Sequence, residues 1–177
     1  MAAYSALGRL LELEGPRPYR VYVNKDEPSW PYLVRLIKRA KANLRIKCGE
    51  VDKSFWEISQ IIDEMRDFLN RGGNIEFCFS KLNSQGSPVT SVEEAKQMLG
   101  KENPNFVNLV KRFPDKVKCY WFKNRPKQHY QIGDGQDLIL EEFDHPVKGK
   151  RSADILFNYP RLSSKWIVRF QNALRRE

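Results

Sequence analysis

The chain has 177 residues, 41% of them hydrophobic and 30% charged, enough for one domain with a sizeable core and too few for a comfortable second one. No stretch approaches the roughly 18 uninterrupted apolar residues of a membrane span, and the N-terminus lacks the basic region and apolar core of a secretory signal, so the expected location is the cytoplasm. Lysine and arginine number 31 against 22 aspartates and glutamates, a formal charge of +9 that fits an anionic partner such as nucleic acid or phosphate headgroups, or a basic surface with no such role.

Leu7, Leu10 and Leu11 fall at helical spacing, and Gly15-Pro16 ends the segment, so residues 4–14 read as a peripheral helix for packing or self-association. Arg20-Val21-Tyr22-Val23 reads as a strand. Residues 1–28 are therefore expected to lead into a domain spanning 29–177. Ser29, Trp30 and Pro31 start a helix, with proline early, where its missing N–H is harmless. Leu33, Leu36, Ile37 and Ala40 give that helix one apolar stripe.

Leu44, Ile46 and Cys48 alternate with Arg45 and Lys47 as a strand does. Phe55, Ile58, Ile62, Met65 and Leu69 then keep a helical period up to Gly72-Gly73, and Ile75, Phe77 and Phe79 make another strand. A strand, a helix and a second strand in this order suit a right-handed parallel crossover. The fold class is α/β, a mixed or largely parallel sheet flanked by helices.

Residues 81–90 are polar and read as a loop, and Ser91 with Glu94 three residues on is a capping-box signal for a helix to about Leu99. A short helix carries Phe106, Leu109, Val110 and Phe113. Val117, Cys119 and Trp121 alternate as a strand whose apolar residues fill the core. Residues 127–142 read as a hairpin around Asp134-Gly135, a pair suited to turn positions with positive φ. The basic loop Lys148-Gly149-Lys150-Arg151 precedes a strand over residues 154–157, and a last helix from about Leu162 turns Trp166, Ile167, Phe170 and Leu174 inward.

Cys48, Cys78 and Cys119 are odd in number and widely spaced, with only His129 and His145 as partners, which suggests neither a disulfide framework nor a zinc site. They read as small apolar strand residues. With no P-loop or dinucleotide-binding glycine pattern, no cofactor is expected.

The run from Leu33 to Ile46, a helix leading into an apolar strand, resembles the opening of phospholipase D-like domains. Phe55 to Leu69 followed by Arg71-Gly72-Gly73-Asn74-Ile75-Glu76-Phe77 resembles the family's next helix, its arginine-glycine break and its second strand. The ending Ile155-Leu156-Phe157-Asn158-Tyr159-Pro160, before a helix with Trp166 and Phe170, looks like the closing strand and helix. The resemblance covers roughly residues 30–175 and implies a phospholipase D-like half-unit.

Family enzymes carry His-x-Lys and then, after four intervening residues, Asp. Aligned on Asp134, this sequence has Lys127 at the histidine position and His129 at the lysine position, as though the two had exchanged places. Residues two apart on a strand share a face, so both can reach one phosphate pocket. The usual glycine, serine and asparagine have no match, and Glu141, Glu142 and Phe143 stand in that region. The resemblance implies paired motifs, one histidine attacking phosphorus while the other protonates the leaving oxygen, so a chain with one motif works as a homodimer. Moving the nucleophile two residues along a strand displaces it by about 6 to 7 Å.

These residues leave alternatives open. His129 is a catalytic group, a phosphate contact or a structural histidine, and Asp134 supports a site or simply makes a tight turn. His145-Pro146 is a loop turn or holds a second catalytic histidine, and Glu141 and Glu142 orient a histidine or are solvated. Lys111, Arg112, Lys116, Lys118, Lys123, Arg125 and Lys127, interleaved with Phe113, Tyr120, Trp121 and Phe122 against Asp115 alone, make a nucleic-acid-like stretch or the wet face of a strand. Lys116, Lys118, Lys123 and Arg125, with Lys148, Lys150 and Arg151, are the candidate phosphate contacts. The favoured expectation is a phospholipase D-like protein with an altered motif that binds a phosphate-bearing partner, nucleic acid before lipid. A metal-independent phosphodiesterase or nuclease using His129 from two subunits is the rival, and a structural protein without an anionic ligand is the third possibility.

Overall fold

A computed structural model of the chain describes residues 18–23, 28–49, 51, 53–80, 91–122, 128–141 and 153–175. The proposed helix at 4–14, the loop at 81–90, and Lys123, Arg125, Lys127, His145, Lys148, Lys150 and Arg151 lie outside the described residues. The described elements are β1 (Tyr19–Val23), α1 (Trp30–Arg39), β2 (Asn43–Lys47), α2 (Lys53–Trp56), α3 (Ser59–Asn70) and β3 (Asn74–Phe79). They continue with α4 (Val92–Glu102), α5 (Pro104–Arg112), β4 (Val117–Trp121), β5 (His129–Gly133), β6 (Asp137–Glu141), β7 (Ala153–Phe157) and α6 (Pro160–Leu174).

Leu44 and Ile46, alternating with Arg45 and Lys47, turn one face of β2 into the main core. Among the described residues, seven strands form one sheet in the order β1-β7-β6-β5-β2-β3-β4. The pairs β2–β3 and β3–β4 are parallel, and β2–β5, β5–β6, β6–β7 and β1–β7 are antiparallel. This is the expected mixed α/β sheet. The strand at 19–23, from the leading segment 1–28, is an edge of that same sheet.

Helices cover both faces. Leu33, Leu36 and Ile37 of α1, Met65 and Phe68 of α3, and Phe106 of α5 pack on Ile46, Phe77 and Ile155 to form the larger core. On the opposite face, Trp166 and Phe170 of α6 pack on Tyr130, Ile132, Leu138 and Leu156. Trp56 and Phe106 both meet Phe77, with ring centroids 4.9 and 4.7 Å away.

Sequence periodicity suggests one helix from Phe55 to Leu69, but the chain breaks between α2 and α3, where Ile58 is extended (φ −62, ψ 122). The reason is tertiary. At the break, the Glu57 carboxylate accepts the backbone N–H groups of Asn105 and Phe106, at 3.2 and 3.1 Å, and the Asn105 side-chain amide at 2.8 Å. A carboxylate at the start of α5 satisfies free N–H donors and opposes the helix dipole. The capping signal at α4 is realised, Ser91 Oγ accepting from Glu94 N at 3.1 Å, although the helix runs on to Glu102.

Cys48 and Cys78 are buried, as expected, but Cys119 is exposed, which corrects the reading of all three as core residues. Its strand, β4, is an edge of the sheet, and a groove of about 710 Å³ opens beside it, lined by Leu99, Val107, Val110, Trp121, Phe122 and Leu174 among others. Cys119 is open to water at this groove yet crowded by protein atoms, and that desolvation pushes its thiol up to about 11. A thiol raised from 9.0 to about 11 holds roughly 100-fold less thiolate at pH 8. Because a more basic thiolate is also a stronger nucleophile, iodoacetamide labelling of Cys119, followed by mass spectrometry, is expected to run about 10-fold slower than on a free cysteine at pH 8, and to climb as pH rises towards 11.

The hairpin between β5 and β6 turns at Asp134 (φ 48) and Gly135 (φ 71), the positive angles of a primed hairpin turn. Asp134 does more than turn. Its carboxylate accepts the backbone N–H groups of Lys41, Ala42 and Asn43 at 2.5, 2.9 and 2.8 Å, closing the connection between α1 and β2. Asp134→Ala is expected to lower unfolding free energy by about 1–3 kcal/mol in urea titration. Asp134→Asn, which keeps one acceptor oxygen, should lose less.

Candidate functional site

β2, β3 and β4 finish at one end of the sheet, where β5 starts and β6 finishes. Open α/β sheets bind ligands at the carboxyl ends of their strands. His129 is the first residue of β5, and its cross-strand partner is Glu141, the last of β6. Both side chains are buried, 2% and 9% exposed, with His129 Nδ1 3.3 Å from Glu141 Oε2. On the other side of the ring, the backbone N–H of Gly49, just beyond β2, donates to His129 Nε2. Gly49 is itself held, because its carbonyl accepts from Ser80 N and Ser80 Oγ, each at 2.7 Å.

This geometry fixes the tautomer. A ring nitrogen that accepts an N–H carries no proton of its own, so the proton of the neutral imidazole sits on Nδ1, facing Glu141. Attack on phosphorus needs an Nε2 lone pair within about 3–3.5 Å of it. Here that lone pair accepts the Gly49 N–H. As arranged, the histidine ties β5, β6 and the end of β2 together.

Two residues along the same face, Gln131 is 1% exposed, and its Oε1 has no hydrogen-bond partner among the described residues. Counted from His129, a His-x-Lys order therefore meets glutamine in place of lysine. On the sheet's other face at this end, Lys47 Nζ lies over the rings of Phe122 and Tyr130, 5.4 and 5.9 Å from their centroids. Burial pushes the Cys78 thiol and the Tyr130 hydroxyl well up, with Lys47 lowering the thiol in part.

The proposed site residues are not all brought together. Asp134 sits in the turn at the opposite end of β5 from His129. Lys116 donates its ammonium to Leu69 O at 2.9 Å, near the carboxyl end of α3. Lys118 is exposed on β4, opposite Glu76 of β3, and three strand spacings of about 4.8 Å separate β4 from β5. Glu141, an open alternative in the sequence, is the residue that orients His129. Gly49, Ser80 and Gln131 were not singled out. The Gly49–His129 contact joins residues 80 apart, and no local pattern announces it. Among the described residues, no group of three or more His, Cys, Asp or Glu is placed to hold a metal ion.

No family model matches the sequence, and neither does any curated protein. Solved structures do match in fold. TrmBL2, an archaeal chromatin protein described as showing a novel mode of DNA binding, aligns over 98% of this chain at 12% identity and a TM-score of 0.65. The chain spans 58% of the TrmBL2 chain. Nuc from Salmonella typhimurium, a phospholipase D family member, aligns over 88% of this chain and 93% of its own at 13% identity and a TM-score of 0.56. NucT from Helicobacter pylori covers 90% and 97% at 10% identity, also with a TM-score of 0.56. The chain thus has the fold seen in phospholipase D family members, and no described helix is long and apolar enough to cross a membrane.

Replacing His129 by alanine strands a buried carboxylate and a buried N–H together. His129→Ala is expected to cost about 2–4 kcal/mol of unfolding free energy by chemical denaturation. Glu141→Gln, which keeps an acceptor beside Nδ1, should cost less.

Proposed function

We propose that this chain is a phospholipase D-like domain that binds a phosphate-bearing partner, nucleic acid before lipid, with little or no cleavage. The observation that carries the reading is the state of His129, whose Nε2 accepts the Gly49 N–H while Nδ1 faces Glu141 in a site nearly closed to water. A nucleophile so engaged is poorly placed to attack phosphorus. The net charge of +9 supports a polyanionic partner, and the fold shared with a DNA-binding chromatin protein agrees with it. Lys123, Arg125, Lys127, Lys148, Lys150 and Arg151 are proposed as phosphate contacts and a homodimer as the binding unit. Lys116 is engaged with Leu69 O and Lys118 is remote from His129, so both contribute less.

The His129–Glu141 pair favours a second reading. A carboxylate against Nδ1 holds an imidazole in the tautomer that leaves Nε2 basic, as in hydrolytic triads. If Gly49 moved aside, His129 from two subunits would attack and protonate in a metal-independent phosphodiesterase.

Hydrolysis of bis(p-nitrophenyl) phosphate and of short single-stranded DNA in EDTA, comparing the protein with His129→Gln at matched dimer content, separates the two. The binding reading expects turnover no higher than in the variant, together with oligonucleotide affinity whose logarithm falls with the logarithm of salt at a slope of about −3 or steeper. Metal-free turnover that disappears in His129→Gln would establish the phosphodiesterase instead.

A further inference from the structure

The outer face of α6 carries Arg161, Lys165 and Arg169, four residues apart and all exposed, on a helix whose sequence contains no aspartate or glutamate. An i, i+4 spacing lines the three up about 6 Å apart along one stripe. Some other cations are neutralised within the fold. On α1, which also lacks acids, Lys38 reaches Glu64 at 3.8 Å and Arg39 pairs with Asp137 at 2.7 Å. On α6 none of the three has a carboxylate partner among the described residues. Arg169 stacks its guanidinium on Trp166, 4.5 Å from the ring centroid, which steadies the charge without neutralising it.

For folding alone this arrangement is unfavourable. Like charges at i, i+4 repel one another, and Arg161, in the first turn, stands at the positive end of the helix dipole. A polyanion laid along the stripe would reverse both effects. The apolar side of α6 is already spent on the sheet through Trp166 and Phe170, leaving only Leu162 and Val168, 37% and 54% exposed, beside the cations. That is too little apolar surface to seat the helix in a bilayer interface, which requires a whole apolar face.

We infer that Arg161, Lys165 and Arg169 of α6 form a contact surface for the phosphate backbone of nucleic acid, on the opposite side of the sheet from His129. The inference rests on the nucleic-acid reading given above and names a surface for it.

The test is fluorescence anisotropy of a labelled 20-base-pair DNA duplex, and of the matching single strand, titrated with the full chain at several salt concentrations. The variant R161Q/K165Q/R169Q is compared with a control, K53Q/K96Q/K101Q, which removes three exposed cations from α2 and α4. Circular dichroism checks that both are folded. The α6 variant is expected to bind at least about 10-fold more weakly than the parent near 100 mM salt and to flatten the salt slope by about 2 to 3, with a smaller effect of the control. Parent-like binding by the α6 variant, or equal losses in both variants, would overturn the stripe and leave the nucleic-acid reading standing. A parent chain that binds neither oligonucleotide would overturn that reading itself. Binding only to phosphatidylserine vesicles, lost in the α6 variant, would replace the proposed partner with a membrane surface.

Discussion

β2 is gripped at both of its ends by side chains from the two ends of the β5 segment, His129 at its start and Asp134 in the turn just past its finish. At the start of β2, the Asp134 carboxylate takes three consecutive N–H groups from residues 41–43, and just past the finish of β2 the His129 ring takes the N–H of Gly49. This matters because β2 is the seam of the sheet, parallel to β3 on one side and antiparallel to β5 on the other. A slip of one residue would turn Leu44 and Ile46 out of the core and Arg45 and Lys47 into it. The two clamps fix that register from outside the ladder. The helices on either face then meet the side chains they were patterned for.

The same arrangement is what the proposed binding reading rests on. In a phosphodiester-cleaving centre, the nitrogen that attacks must be free until substrate arrives. Here, as arranged, the ring serves the architecture: Nδ1 faces Glu141, Nε2 accepts the Gly49 N–H, and Ser80 fixes the glycine in turn. The residue two along is a buried glutamine, not a lysine able to steady a phosphate by charge. Cationic character is found elsewhere, in Lys47 over its aromatic rings and on the outer face of α6.

Much of the fold was legible in the residues. The alternation in β2, β3 and β4, the 3.6-residue stripes of α1 and α6, the Ser91 cap and the Asp134-Gly135 turn are local signals, and each marks a described element. What escaped depended on partners distant in sequence. The break after Trp56 follows from Glu57 reaching α5, and Cys119 turned out exposed because β4 is an edge, a fact of sheet order that alternation does not encode. Aligning the motif on Asp134 picked a residue that serves the α1–β2 turn. The grouping of His129 with Glu141 was half visible as an acid at the end of a hairpin, whereas Gly49 and Ser80 arrive from other strands with no motif to mark them.

The outermost pair of the sheet sets an order of events during synthesis. Among the described residues β1 has one strand neighbour, β7, and the contact is reinforced by Arg20, whose Nε and Nη2 donate to the Asp154 carboxylate, between residues 134 apart in sequence. Of the described strands, a ribosome makes β1 first and β7 last. The central β2–β3–β4 unit can therefore gather while β1 waits unpaired, and the sheet closes only after β7 has emerged. The β1 edge is in this sense completed late, and a chain truncated before Ala153 would leave β1 with an open edge.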